Sequence, residues 1–184
     1  MRIALTGPSS TGKTTLMNDL LDCSSMSQID ASCAQVDIRS LLRNLGLRAD
    51  GKGCDKEQMR KMQWAILEEK QRVEKKRDSF VTDRSYLDLA AHWLHRDGTD
   101  DEETKEYVNR CIELASTNYD WHIYLPLGRI PFVPDGERPE GMGFQRAVNT
   151  SIEQLLGKCD SSVLVLRESD RRASVKEILL NLGL

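Results

Sequence analysis

The sequence predicts an α/β fold: a central, mostly parallel sheet of about five strands with helices on both faces, in three layers. Three observations carry this prediction. Short apolar runs alternate with longer segments of helical periodicity, the pattern of strands joined by helical crossovers. The 184 residues, 39% hydrophobic and 30% charged, suit a single domain over 1–184. A glycine-bearing segment separates the first apolar run from the first helical pattern, where an open parallel sheet places its ligand-binding turns.

Taken in order, the strand candidates are residues 2–6, a weak one at 27–31, then 79–83, 121–125 and 162–166. The first helix carries Leu16, Met17, Leu20 and Leu21. The longest helical pattern lies between Asp55 and Asp78, with Met59, Met62, Ile66 and Val73 on one stripe and Glu57–Lys61 and Glu68–Arg72 as i,i+4 pairs. The run Glu74-Lys75-Lys76-Arg77 is read as its solvated end, the cations complementing the helix dipole. Ser85, Thr99 and Ser174 each stand three residues before an acid, at Asp88, Glu102 and Glu177, and are expected to cap helices. Residues 46–53 and 126–143 are too rich in glycine or proline for regular structure and are expected to be loops. No internal repeat or low-complexity tract divides the chain.

Charge and composition narrow the function. Lys and Arg total 26 against 29 Asp and Glu, a net charge of -3, so a bulk electrostatic grip on nucleic acid is not expected. The five cysteines are odd in number and without C-x-x-C spacing, which suits reduced packing residues rather than a disulfide framework or zinc site. No apolar run approaches a membrane span, and Met1 leads into a strand-like segment rather than a signal peptide, so a soluble cytoplasmic protein is expected. Asp88, His92 and His95 share one helical face at metal-ligand spacing. Tyr86, Leu89, Ala90 and Trp93 nevertheless explain that helix by packing, so replacing His92 is expected to do little. Trp64, Trp93 and Trp121 are read as core or rim residues rather than base-stacking platforms.

The strongest signal is Gly7-Pro8-Ser9-Ser10-Thr11-Gly12-Lys13-Thr14, which meets G-x-x-x-x-G-K-[ST] at every specified position between an apolar strand and a helix. In such a P-loop, backbone N–H groups turn inward to form an anion nest at a helix N-terminus. Gly7, Ser10, Thr11, Gly12, Lys13, Thr14 and Thr15 are thus the candidate ATP-binding residues, with Lys13 reaching the β- and γ-phosphates and Thr14 ligating Mg²⁺. A GTPase would carry N-K-x-D, which this chain lacks, and its D-x-x-G at Asp50-Gly51-Lys52-Gly53 follows no convincing strand. The small size favours a kinase in which ATP and acceptor meet over one sheet. Asp83 ends an apolar strand at the ligand-binding edge, placed to hold Mg²⁺ or orient an acceptor hydroxyl, and Arg84 is placed to bind a phosphate.

The Asp83-Arg84-Ser85 segment resembles the D-R-[YFH] or E-R-S element of thymidylate and deoxynucleoside kinases. Together with the P-loop, Tyr119 to Leu125 and the segment Ile130-Pro131-Phe132-Val133-Pro134-Asp135-Gly136-Glu137-Arg138, it makes nearly the whole chain resemble the NadR-type nicotinamide riboside kinase group of small P-loop AAA domain proteins. That resemblance implies a nucleoside/nucleotide kinase-like P-loop NTPase whose residues 126–146 form a lid or substrate loop. It implies Arg138 as a lid arginine and residues 167–173 as the adenine pocket; because phosphoryl transfer needs cations on such a loop, Arg138 and Arg146 are the candidate catalytic cations, with Arg39, Asp135 and Arg129 as candidate substrate contacts. The group carries E-x-x-R after its second strand. Here Val36 stands at the acid and Arg39 at the arginine, leaving Asp37 or Asp30 as the candidate base.

The expected activity is ATP- and Mg²⁺-dependent phosphoryl transfer to a small nucleoside-like acceptor, nicotinamide riboside first. The alternatives are a thymidylate-type nucleotide kinase or modified-DNA-base kinase, and a non-catalytic ATP-binding regulator. Neither a membrane nor a nucleic-acid partner is favoured, and no signature of an oligomeric state is present.

Overall fold

In a computed structural model, described over residues 1–46, 54–96, 99–131 and 141–184 without the side chain of Arg39, each strand is followed by one or two helices. In order they are β1 (Arg2–Thr6), α1 (Lys13–Leu21), α2 (Ser24–Gln28), β2 (Ser32–Cys33), α3 (Ile38–Asn44), α4 (Lys56–Glu74), β3 (Phe80–Asp83), α5 (Tyr86–Arg96), α6 (Glu102–Asn118), β4 (Trp121–Tyr124), α7 (Met142–Leu156), β5 (Ser162–Val165) and α8 (Arg171–Leu182).

The sheet is wholly parallel in the order β2-β3-β1-β4-β5, so the first strand lies at its centre. Side chains alternate between the faces of a strand, and both faces of a parallel sheet are covered by helices. Ile3 and Leu5 of β1 therefore enter one core with Leu16, Leu20, Val81, Ile123 and Ile178. Ala4 enters the other, with Phe80, Trp93, Tyr107, Tyr124 and Ile152. Leu5 pairs with Asp83 and Thr6 with Tyr124, which brings the turns after β1, β3 and β4 to one edge.

Several local expectations are corrected. Residues 24–28, which overlap the weak strand expected at 27–31, form α2, and the edge strand is displaced to Ser32–Cys33. Its alternation signal is short because only two residues pair with β3. Asp101, not Thr99, caps α6 by accepting from the Thr104 amide, and Asp170, not Ser174, caps α8 by accepting from Ala173. Asp101 stands next to the first residue of α6, two positions closer than Thr99, whereas Ser174 lies inside α8, which already begins after Asp170. Arg72 pairs with Glu69 at 2.5 Å rather than with Glu68. The Glu57–Lys61 pair is present at 2.7 Å, on the solvent face of α4.

Glu74 is interior rather than part of a solvated helix end. It pairs with Lys70 at 2.7 Å and accepts from Tyr119 at 2.9 Å and from Asn118 at 2.6 Å. Lys70 also donates to Thr82 at 2.8 Å, and Thr82 donates to the carbonyl of Ala34 at 2.7 Å. A polar chain thus runs from α6 through α4 and β3 to the segment leaving β2. Trp64, Trp93 and Tyr107 form an aromatic cluster between α4, α5 and α6, with Trp93 stacked on Tyr107 at 4.1 Å.

The interior makes two predictions. Lys70→Met leaves the Glu74 carboxylate buried without its cation and should cost about 3–5 kcal/mol, while Lys70→Met with Glu74→Leu should recover most of the loss in urea denaturation. His122 is fully buried, and burial pushes its imidazole down to about 4. The unfolded chain takes up this proton near pH 6.5, so stability present above that pH should fall by about 3 kcal/mol as the pH drops toward 4. His122→Gln should flatten that part of a stability-against-pH curve.

Candidate functional site

The loop between β1 and α1 is built from three residues in the left-handed region: Gly7 at φ +151°, Ser10 at +62° and Gly12 at +87°. Gly7 also has no room for a side chain, since a Cβ there would lie 2.4 Å from the Leu125 carbonyl oxygen. Lys13 opens α1 almost fully buried, and its ammonium curls into the loop, donating to the carbonyls of Gly7 at 2.7 Å and Pro8 at 2.6 Å. Thr14 and Thr15 are exposed on the first turn of the same helix. The arrangement combines a left-handed turn, a helix N-terminus and a buried cation, features that bind phosphate.

Asp83 meets this loop from the end of β3. The Thr14 hydroxyl donates to Asp83 Oδ2, while Asp83 Oδ1 is buried with no hydrogen-bond partner among the described residues. The hydroxyl and carboxylate together form a hard-oxygen donor set of the kind Mg²⁺ takes. Arg84 follows at φ +75°, a left-handed residue that turns its guanidinium back toward the loop. Its Nη1 lies 2.8 Å from His92 Nε2, and its Nη2 donates to Ser9 Oγ at 3.4 Å.

Asp88 holds the two turns together. Its Oδ1 accepts from the Gly7 amide at 3.1 Å, and its Oδ2 accepts from the Ser85 amide at 2.8 Å and the Ser85 hydroxyl at 3.0 Å. Ser85 in turn accepts from the Leu87 amide at 3.1 Å, which makes the expected cap. Burial pushes the Asp88 carboxyl above its ordinary range, while the charges of Lys13 and Arg84 and the Gly7 and Ser85 amides pull the other way. From the opposite side Gln145 of α7, almost wholly buried, accepts from the Ser9 amide at 2.9 Å.

The segment after β4 closes over the same loop. Arg129 donates to the carbonyls of Thr11 at 3.1 Å and Glu168 at 2.5 Å and to Ser174 Oγ at 3.1 Å, tying the P-loop to the turn between β5 and α8. The Leu127 amide donates to Asn149 Oδ1 at 2.9 Å, which fixes the start of this segment on α7.

Other expected site residues are less closely joined. Asp37 stands at the carboxyl end of β2 and caps α3, accepting from the Ser40 amide at 3.0 Å and hydroxyl at 2.6 Å. Asp30 precedes β2 at the opposite, amino-terminal edge of the sheet, because Ser32 pairs with Phe80 at the start of β3. The geometry therefore removes Asp30 as a base. Arg146 is exposed in the second turn of α7, which begins at Met142. The lid residues Asp135 and Arg138 and the loop 47–53 lie outside the described residues, as does the Arg39 side chain. Among the described residues no group of three or more His, Cys, Asp or Glu is placed to hold a metal; on the α5 face Asp88 bonds the Gly7 amide, His92 lies against Arg84 and His95 against Ser151.

Sequence reasoning missed the joint work of Asp88, His92 and Gln145. The D-R-S-x-x-D spacing marks a helix cap, but nothing in it says that the Gly7 amide, 81 residues away, needs this acceptor. Gly7→Ala should lower nucleotide affinity at least about tenfold, because it forces both a forbidden contact and a strained φ. Asp88→Ala should destabilise the fold by about 1–3 kcal/mol for each buried amide left unpaired. Calorimetric titration with an ATP analogue and thermal denaturation would measure the two effects.

With this geometry established, the sequence pattern of a family described as an AAA domain matches residues 2–173. No curated protein matches the chain significantly. Among solved structures, a deoxyadenosine kinase from M. mycoides, with products dCMP and a flexible dCDP bound, superposes with a TM-score of 0.71 at 16% identity, covering 100% of this chain and 98% of that one. A thymidylate kinase from Ehrlichia chaffeensis gives 0.64 at 16% identity, with 100% and 98% covered. The NadR protein in complex with NAD and AMP-PNP gives 0.65 at 14% identity, and this chain, covered in full, spans 49% of it. At such identities the likeness establishes a P-loop kinase fold. Among the described residues no helix is long and apolar enough to cross a membrane.

Proposed function

From a chain that belongs to the AAA domain family and bears this site, we propose an ATP-dependent phosphotransferase that moves the γ-phosphoryl group to a hydroxyl or phosphate of a small nucleoside-like acceptor. The observation that carries this reading is the meeting of Thr14 with Asp83, and of Arg84 with Ser9, at the carboxyl edge of one parallel sheet. Phosphoryl transfer asks little covalent chemistry of a protein. It asks for positioning and for positive charge around the migrating group.

In this reading the amides of residues 10–15 and the Lys13 ammonium hold the triphosphate, with Gly7 and Gly12 shaping the nest. Thr14 and Asp83 hold Mg²⁺, which would neutralise charge on the phosphate oxygens. Arg84 orients the γ-phosphoryl group or the acceptor. Arg129 bonds the Glu168 carbonyl within residues 167–173, so we assign it to the nucleoside end of ATP rather than to the acceptor. Asp37 is the candidate proton acceptor, on the correct edge after β2, and Arg39, two residues on in sequence, is a candidate substrate contact. The segment bearing Asp135, Arg138 and Arg146 supplies the lid and further cations. As the acceptor's oxygen bonds to phosphorus, the bond to ADP breaks and the acceptor proton passes to Asp37.

Nicotinamide riboside is the first acceptor to test, because residues 130–138 resemble the lid of that kinase group. ADP release should be followed with ATP·Mg²⁺ and nicotinamide riboside, nucleosides, nucleoside monophosphates or DNA with hydroxymethylated bases, with product masses recorded. One acceptor gaining a single phosphoryl mass supports the kinase and names its class. Tight ATP binding without turnover on any acceptor would instead favour a regulator. Lys13→Ala should abolish transfer, and Asp83→Asn should lower kcat by about 100-fold or more.

A further inference from the structure

We infer that His92 is a positioning residue for Arg84, accepting a hydrogen bond from its guanidinium through Nε2 and holding it against the P-loop; the inference rests on the kinase reading of this site. Arg84 Nη1 and His92 Nε2 are 2.8 Å apart. A guanidinium carries only donors and stays protonated, so the proton in this bond belongs to Arg84 and Nε2 offers its lone pair. His92 is consequently the neutral Nδ1–H tautomer, a state set by its partner rather than by solution preference.

The imidazole is itself held in place. His92 is 7% exposed, and its ring packs against that of Phe144 of α7 at 5.7 Å between centroids. The same helix places Gln145 on the Ser9 amide, and Ser9 Oγ receives the other arm of Arg84 at 3.4 Å. The guanidinium is therefore bracketed by α5 on one side and the P-loop on the other. Arginine is a long side chain with many rotamers, and two fixed acceptors select one of them before a phosphate arrives.

The charged groups around His92 define what its protonation would do. On α5 they are Asp88, engaged with Gly7 and Ser85, and His95, bonded to Ser151 Oγ at 2.9 Å. Arg84 approaches from the β3–α5 turn and Lys13 from the P-loop side, where both act on Asp88. Helix α7 contributes Phe144 and Gln145, with Arg146 exposed to solvent. A second proton on His92 would set an N–H against an N–H and release Arg84. Contrary to the expectation from packing alone, His92 is thus bound to the function.

Two measurements test this. In two-bond ¹H–¹⁵N spectra of protein labelled at histidine, His92 should show Nε2 unprotonated, and Arg84→Ala should shift it toward the common Nε2–H form. In kinetics with the acceptor found above, His92→Phe keeps a ring but removes the acceptor. It should lower kcat about 10- to 100-fold, with the melting temperature and the Kd for ATP·Mg²⁺ unchanged. His92→Gln offers an amide oxygen as the acceptor, and it should recover most of that loss. Equal losses in the Phe and Gln variants, a fully active Phe variant, or a protonated Nε2 in the wild type would overturn the inference. If no acceptor is turned over, the kinase reading fails, and the tautomer spectrum alone judges His92.

Discussion

A phosphate-binding loop must turn its amides toward an anion, and the amide at its entrance, on Gly7, is left buried and facing the protein. Asp88 satisfies it. The same carboxylate receives the Ser85 amide and hydroxyl, so the turn after β1 and the turn after β3 are bolted to one side chain. Everything at the site inherits its geometry from that joint: the approach of Asp83 to Thr14, the left-handed Arg84 and the contact of Arg84 with Ser9. A fully buried carboxylate is costly unless hydrogen-bonded and offset by charge, and here three donors and the nearby Lys13 and Arg84 do both.

Around this joint the fold supplies rigid backing. The central position of β1 lets three loops reach one edge without a long connection. Lys70, Glu74 and Thr82 carry a polar chain to the Ala34 carbonyl, steadying the segment that leads to Asp37. On the far side Arg129 crosslinks the P-loop to the turn before α8, while Tyr124 and Asn149 hold the start of its segment to α7. Each link joins residues distant in sequence, so the site is a property of the assembled sheet edge rather than of any one loop.

Local patterns served well where physics is local. The P-loop motif, the central strands and the long amphipathic α4 follow from spacing, apolar alternation and helical periodicity, which need only near neighbours. They failed where alternatives competed within a few residues. Thr99 and Asp101 can both cap α6, and the one adjacent to the first turn does so. The two-residue β2 is held by its pairing with β3, and no alternation can announce a strand so short. Glu74 reads as part of a charged run, yet Lys70, Tyr119 and Asn118 make its burial tolerable.

Fold class, the P-loop at residues 7–15 and the approach of Asp83 and Arg84 to it were legible in the amino-acid order, because the motif and the strand ends dictate those positions. That Asp30 lies on the wrong edge, that Arg129 reaches the turn before α8, that Asp88 and Gln145 bond amides of the loop and that His92 lies against Arg84 emerged from the folded chain. The reason is that a hydrogen bond between residues 81 or 136 positions apart has no periodicity to record it. It exists only once the strands have paired and the helices have packed, when each buried donor must find whichever acceptor the fold has brought within reach.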